Sequence, residues 1–333
     1  MKTTHLLLSI PLAFLAASGC TSDELQEKPQ TNEKGEYAVH FNGNMDMTLT
    51  KAGPEQVKTG VKATISAYTK GDDVTSTNAI VSNGYTVGST PGTFEGDNSF
   101  TMYLPKGNYD FYAVSTNSTA DAPTFTSGVS ASDLENGVDY IYAKAANQEV
   151  GNEEKNIPLT FNRKAVQIHI DIKSADAGLI LTAWQSGDDA ATITPPVVTG
   201  CKMALTDGTI TAATSVNTTG ANMTMAAVSD NATSASYIML PLTANGSASR
   251  ELTVTFKVTV QIGGRTAEDK TYTATLTAPN TSDNNSGYAF LSGKKYTYTA
   301  TLKANKITFT GATVADWTTV NTTDDLNPTE PAS

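Results

Sequence analysis

Few side chains in this sequence are placed for chemistry. Past the first twenty residues there are two histidines, His40 and His169, and each falls inside an alternating apolar/polar run. His169 shares a polar row with Gln167 and Asp171, the pattern of a strand face turned to water. A Ser-His-Asp relay assembles in space and has no fixed spacing, but no Gly-x-Ser-x-Gly elbow accompanies the two histidines. No His-x-x-x-His or Cys-x-x-Cys spacing marks a zinc site, and no glycine-rich phosphate loop precedes a helical pattern. Asp283-Asn284-Asn285-Ser286-Gly287 carries oxygen ligands and a turn glycine without the spacing of a calcium loop, so it reads as a turn. Trp184 and Trp317 have faces that stack on sugars, but buried packing is the commoner use of tryptophan. The sequence is therefore expected to hold no catalytic residue, metal or cofactor.

One residue is placed for covalent modification. Lys2, a short apolar stretch from Leu6 to Ala17, and the small residues Ser18-Gly19 precede Cys20. A basic start, an apolar centre too short to span a bilayer and small residues at the cut make a secretory leader. Leu15-Ala16-Ala17-Ser18-Gly19-Cys20 resembles the lipobox of bacterial lipoproteins, with Ala17 where a large aliphatic residue is usual. The resemblance implies cleavage before Cys20 and acylation of its thiol, and several acyl chains together hold a protein on a membrane stably. Residues 20–36 are almost devoid of apolar side chains and read as a disordered tether. Their acidic Ser22-Asp23-Glu24 resembles the signal that sends Bacteroidetes lipoproteins to the outer face of the outer membrane.

Removing residues 1–19 leaves 314 of 333, long enough for two domains of ordinary size. The formal charge is −11, which argues against nucleic acid and anionic lipid surfaces as partners. Charged residues make up only 17%, low for a helix-rich soluble protein, while Thr and β-branched residues abound. Cys201 is the one cysteine besides Cys20, so packing rather than disulfides must stabilise the chain.

Period-two alternation recurs along the chain. It runs through Tyr37, Val39 and Phe41, then Met45, Met47 and Leu49 after Asn42-Gly43-Asn44. It returns in Val61–Ala67, in Phe100–Leu104 and in Tyr109–Ala113. Pro105-Lys106-Gly107 between the last two predicts a hairpin. Residues 115–137 read as a surface loop and Asp139–Ala143 as a short strand. Polar residues 144–156 read as a connecting segment. The cleanest strand has Val166, Ile168, Ile170 and Ile172 on one face. Short strands are expected at 179–184 and 201–205, although Ala177–Trp184 equally suits a short helix. Leu252–Ile262, Gly263-Gly264 and Tyr272–Leu276 predict another hairpin. The last strands hold Tyr296, Tyr298, Ala300 and Leu302, then Ile307 and Phe309. Short alternating runs punctuated by turns predict an all-β chain of two Ig-like sandwich domains in tandem, over 37–155 and 156–320, with a polar tail at 321–333.

Tyr37–Leu49 reads as a self-contained apolar strand pair, followed at once by Lys51-Ala52-Gly53-Pro54, an exposed stretch open to proteases. Cleavage at Lys51 would let the leading strand leave and expose unpaired backbone and apolar pockets to another chain's strand. About five inserted apolar side chains at roughly 1.5–3 kcal/mol each give on the order of 10 kcal/mol before ordering costs.

The chain resembles the fimbrillin family of Bacteroidetes, the subunits of lipoprotein-derived pili. The residues that carry the likeness are the lipobox, Thr50-Lys51-Ala52, Tyr103–Phe111, Leu159–Val166, Phe290–Tyr298, Ile307–Phe309, Val314 and Trp317. The resemblance implies two transthyretin-like sandwiches, surface lipidation at Cys20 and removal of the first strand by a trypsin-like protease cutting between Lys51 and Ala52. The family's cleavage position usually carries Arg. It further implies polymerisation by strand exchange, with Met45, Met47, Leu49, Ile307 and Phe309 on donor or acceptor strands. Other pilus subunits, the outer-membrane lipid, and host or bacterial surface glycans or proteins are the expected partners. The rival reading is a monomeric surface lipoprotein that binds glycans through Tyr85, Tyr112 or Trp184.

Overall fold

Alternating runs become strands where a second layer covers their apolar face. A computed structural model describes residues 31–46, 55–174, 178–282, 287–304 and 306–317. These residues form twenty strands and one 3-10 turn. The first ten strands are β1 (Tyr37–Met45), β2 (Lys62–Thr69), β3 (Val81–Val87), β4 (Thr93–Gly96), β5 (Met102–Leu104), β6 (Gly107–Ser115), β7 (Phe125–Thr126), β8 (Val129–Ser130), β9 (Ile141–Val150) and β10 (Lys155–Arg163). The next ten are β11 (Val166–Ser174), β12 (Leu179–Trp184), β13 (Ala191–Ile193), β14 (Ala221–Asn222), β15 (Thr224–Met225), β16 (Ala232–Met239), β17 (Leu252–Ile262), β18 (Glu268–Leu276), β19 (Lys294–Lys303) and β20 (Lys306–Asp316).

Eight strands make one sheet in the order β10-β9-β6-β2-β3-β4-β1-β5, and β1 also pairs with β10. That pairing closes the sheet on itself. The inward rows then share one core containing Val39, Phe41, Ile65, Phe111, Ile157, Leu159 and Phe161. Closure removes most exposed edges, the liability of an open sheet. The later strands form two five-stranded sheets. One has the order β15-β16-β11-β19-β20; the other has β12-β17-β13-β14, with β18 on β17. The isoleucines of β11 share a second core with Val254, Phe256, Val258 and Val260 of β17, so these two sheets enclose a sandwich interior.

The β17–β18 hairpin forms with Leu252 opposite Leu276. Gly263 and Gly264 in its turn have φ of +57° and +73°, a backbone region that side chains with a Cβ avoid. Other local expectations are overturned. β5 and β6 do not pair across Pro105–Gly107: β5 pairs with β1, and β6 pairs with β2 and β9. The turn redirects the chain to the far side of the sheet instead of folding it back. Tyr109 secures that turn by donating its hydroxyl to the Pro105 carbonyl at 2.8 Å.

Tyr37–Met45 is one continuous strand, and Asn42-Gly43-Asn44 does not turn it. Polar residues 144–150 extend β9, because a strand needs apolar residues only on its covered row, here Ala143, Ala145 and Val150. Residues 179–184 form a strand on β17, so the helical alternative fails. Residues 201–205 make only isolated bridges, such as Val129 with Ala204. The loop at 115–137 contains the β7–β8 hairpin. β10 belongs to the closed sheet and β11 to the next, so the passage between these sheets falls between Arg163 and Val166.

Candidate functional site

The residues singled out by sequence fall on two strands in different sheets. Met45 ends β1, and Ile307 and Phe309 lie in β20. Cys20, Met47, Leu49, Lys51 and Ala52 lie outside the described residues.

β1 is held on both edges. On one side it runs parallel to β10, from Val39 opposite Lys155 to Met45 opposite Phe161. On the other it pairs antiparallel with β5 over Tyr37–Val39 and with β4 over Phe41–Asn42. β1 is thus the strand that joins β10 to β4 and β5, and without it the closed sheet has a slot between them. Period two sends Val39, Phe41, Gly43 and Met45 inward, and the three side chains among them are almost wholly buried. Phe41 meets Tyr85 and Phe111 edge-to-face, with ring centroids 5.3 and 5.5 Å away. Gly43 is a notch. A Cβ there would lie 2.5 Å from Phe94 Cε2 and 3.1 Å from both Phe161 and Val57. Burial of Val39, Phe41 and Met45 contributes roughly 5–9 kcal/mol.

The C-terminal end of β1 is tied down by backbone bonds. Met45 N–H donates to the Glu55 carbonyl at 2.7 Å, and Asp46 N–H to the Phe161 carbonyl at 2.7 Å. Val57 N–H donates to the Gly43 carbonyl at 3.1 Å. The slot is therefore an apolar trough walled by backbone edges, which is the chemistry that receives an extended strand. Tyr85 lies in that trough with its hydroxyl buried, and burial pushes its pKa up from the ordinary tyrosine range.

β20 is an edge strand. Among the described residues it pairs with β19 alone, with Ile307 opposite Leu302 and Phe309 opposite Ala300. Both side chains are half-buried, and Phe309 meets the Tyr298 ring edge-on. β19 is paired on both sides, by β11 and β20, and its Tyr296, Ala300 and Leu302 are fully buried.

Trp317 follows β20 and packs its ring against the Arg163 guanidinium, 4.8 Å from ring centroid to carbon. Arg163 also donates to Asp139 at 3.0 Å, with both side chains mostly buried. This explains Leu159–Val166 and Trp317 as an architectural group that joins the last strand to the closed sheet. Phe290–Tyr298 is architectural as well. The Tyr296 hydroxyl donates to the Ala289 carbonyl and accepts from Leu291 N–H, beside the Phe290 ring.

Strand pairing does bring a serine, a histidine and an aspartate together, which sequence spacing could not show. His169 Nδ1 lies 2.7 Å from Ser236 Oγ across the β11–β16 pair, and Nε2 lies 3.1 Å from Asp171 Oδ1. All three sit on the outward row of the sheet, where His169–Ser236 is a cross-strand polar pair and His169–Asp171 a same-face pair along β11. Among the described residues, no three of His, Cys, Asp and Glu are grouped to hold a metal ion.

The proposed sugar-stacking aromatics are placed otherwise than expected. Tyr85 and Tyr112 are each 3% exposed. Trp184 donates its indole N–H to the Ala226 carbonyl at 2.8 Å and tilts against Phe256.

A family profile described as fimbrillin-like matches residues 50–317. The chain belongs to the fimbrillin-like family. No curated protein matches it in sequence. Among solved structures, this fimbrillin-like chain is similar to a candidate cell adhesion protein from Bacteroides ovatus, with TM-score 0.58 and 17% identity. That match covers 86% of this chain and 99% of the other. A second candidate cell adhesion protein, from Bacteroides uniformis, matches with TM-score 0.54 and 18% identity over 86% and 100%. A third, from Bacteroides fragilis, matches with TM-score 0.50 and 11% identity over 86% and 99%. At such identities the likeness concerns the fold, and it joins this fimbrillin-like chain to an all-β architecture spanning nearly the whole of each relative.

Proposed function

We propose that this chain is a structural, non-enzymatic subunit of an adhesive surface fimbria. It is exported as a lipoprotein, held at the outer membrane through Cys20, and polymerised by exchange of its leading strand. Cleavage between Lys51 and Ala52 frees β1, and a strand from a neighbouring subunit fills the slot. The observation that carries this reading is that β1, the first strand among the described residues, is the one that closes the sheet between β10 and β4 with β5. Once the chain is cut after β1, that closing strand can leave without threading, and its departure leaves two backbone edges and an apolar trough.

The donor is best sought in β20 and the residues that follow it. β19 is locked on both edges, whereas β20 gives up one pairing partner when it leaves. β10 ends the closed sheet and β11 begins the next, which supports a division into two domains meeting at Lys164–Ala165, with Tyr68, Val74, Tyr112 and Val114 of the first packing into the core of the second. Burial of Tyr85 and Tyr112 counts against the glycan-binding monomer built on those rings.

The test is N-terminal sequencing of the surface-exposed form on cells, together with detergent-resistant electrophoresis. A start at Ala52 with a ladder of multimers is expected. A lipidated Cys20 start on every copy, with no multimers, refutes the reading.

A further inference from the structure

A second concave site lies on the outside of the closed sheet, away from the strand slot. Its floor is the outward row of β2, Thr64, Ser66 and Tyr68, of which Ser66 and Tyr68 are themselves largely covered (7% and 6% exposed); the alternate Ala63, Ile65 and Ala67 face the closed sheet's own core. Its roof is the β7–β8 hairpin, and Leu205 closes one end. The hairpin is fastened to the later part of the chain. Ser130 N–H donates to the Met203 carbonyl at 2.9 Å, and Leu205 N–H to the Gly128 carbonyl at 2.8 Å. The cavity therefore sits over the seam where the closed sheet meets the sandwich, a frequent position for ligand sites. Its volume is about 440 Å³, within the range of roughly 300–1,000 Å³ usual for small-molecule sites.

The lining chemistry narrows the ligand. None of the fourteen residues around the cavity is charged, in a chain of net charge −11, and nine of them carry a hydroxyl or a side-chain amide. Charged ligands would find no counter-charge there, which argues against phosphates, carboxylates and cations. Hydroxyls both donate and accept, and that matches a ligand whose own groups do the same. The Ser66 and Ser82 hydroxyls, 2.8 Å apart, already form such a pair. Phe125 is half-buried and offers an apolar surface beside them. Ile80 and Val129, each directly following a lining residue, are 46% and 38% exposed. A hydroxyl-rich floor beside an aromatic ring suits a pyranose, which has hydroxyls around its rim and C–H groups on its faces.

We propose that this cavity binds a neutral saccharide unit, and so makes the subunit a receptor for uncharged glycans. The inference goes beyond fimbrial assembly and does not depend on strand exchange, since β1 contributes nothing to the cavity.

The experiment uses the full chain without its leader, with Cys20→Ser. The probes are glucose, galactose, mannose, N-acetylglucosamine and an array of neutral and sialylated oligosaccharides. Binding is read by saturation-transfer NMR and titration. At least one neutral sugar is expected to bind. Thr64→Tyr, which fills the floor, weakens it at least about tenfold, and the milder Ser82→Ala weakens it in the same direction. Tyr103→Ser, an exposed control on β5, leaves it unchanged. Near-UV circular dichroism verifies that each variant is folded. Absence of any neutral sugar binding, binding of sialylated sugars alone, or binding that survives both cavity variants overturns the proposal. A protein that fails to polymerise but still binds sugar separates this proposal from the fimbrial one.

Discussion

Replacing Phe41 by Ala tests whether β1 is a separable closing strand. Phe41 is 1% exposed and its ring is held edge-on by Tyr85 and Phe111. Truncating a buried phenylalanine costs about 3–5 kcal/mol, the transfer loss plus the cavity left behind. The aromatic pairs add to area burial at about 0.5–1.5 kcal/mol each, which places this site in the upper part of that range. Because Phe41 anchors β1 between β10 and the β4 and β5 edge, the loss should fall on local opening of β1 before global unfolding. Native-state hydrogen exchange reads this directly. The amides of Gly43, Met45 and Asp46 donate to the carbonyls of Gly92, Glu55 and Phe161, and are protected only while β1 is seated. At about 1.4 kcal/mol per factor of ten, they should exchange roughly a hundred- to several-thousand-fold faster in Phe41→Ala. The amides of β2 and β6, in the body of the sheet, should change far less. A change below about 1 kcal/mol at β1, or equal loss of protection across β1, β2 and β6, would refute the reasoning.

Gly43→Val should unseat the same strand by overpacking against Phe94, Phe161 and Val57, costing about 1–3 kcal/mol or more, measured as a lower urea midpoint with unchanged slope. Trp317→Ala should cost about 3 kcal/mol and loosen β20, read as faster exchange of β20 amides with β1 amides unaffected. Alkaline pH should destabilise the fold. Tyr85, Tyr142, Tyr296 and Tyr298 all have pKa values raised by burial above the ordinary 10.0, that of Tyr296 to about 12. Folded-state values above the unfolded one mean that their contribution is complete below pH 10.0 and is lost as pH rises through the folded values. Tyrosinate absorbance should therefore appear together with loss of near-UV circular dichroism; tyrosinate formation with the fold intact would contradict this.

The sequence alone determined which residues face inward along its clearly alternating strands. Alternation is local: a pleated strand puts successive side chains on opposite faces, so Val39 with Phe41, and the isoleucines of β11, declare a covered row wherever their partners lie. It likewise predicted the β17–β18 hairpin, where two glycines supply the turn and the partners are adjacent in the chain. Partner choice beyond that reach was decided by tertiary structure. Nothing local to Tyr37–Met45 specifies a parallel partner at Lys155–Arg163, and nothing local to Pro105–Gly107 says that β5 and β6 go to different neighbours. The notch at Gly43 exists only because Phe94, Phe161 and Val57 converge on it. The uncharged cavity arises only where the outward row of β2 meets a hairpin fastened to Met203 and Leu205. Hydrogen-bonded ladders are satisfied by any strand of compatible register, so the sequence of one strand does not name its neighbour. Closure of the whole sheet does, because only one arrangement leaves every apolar row covered and few backbone edges open.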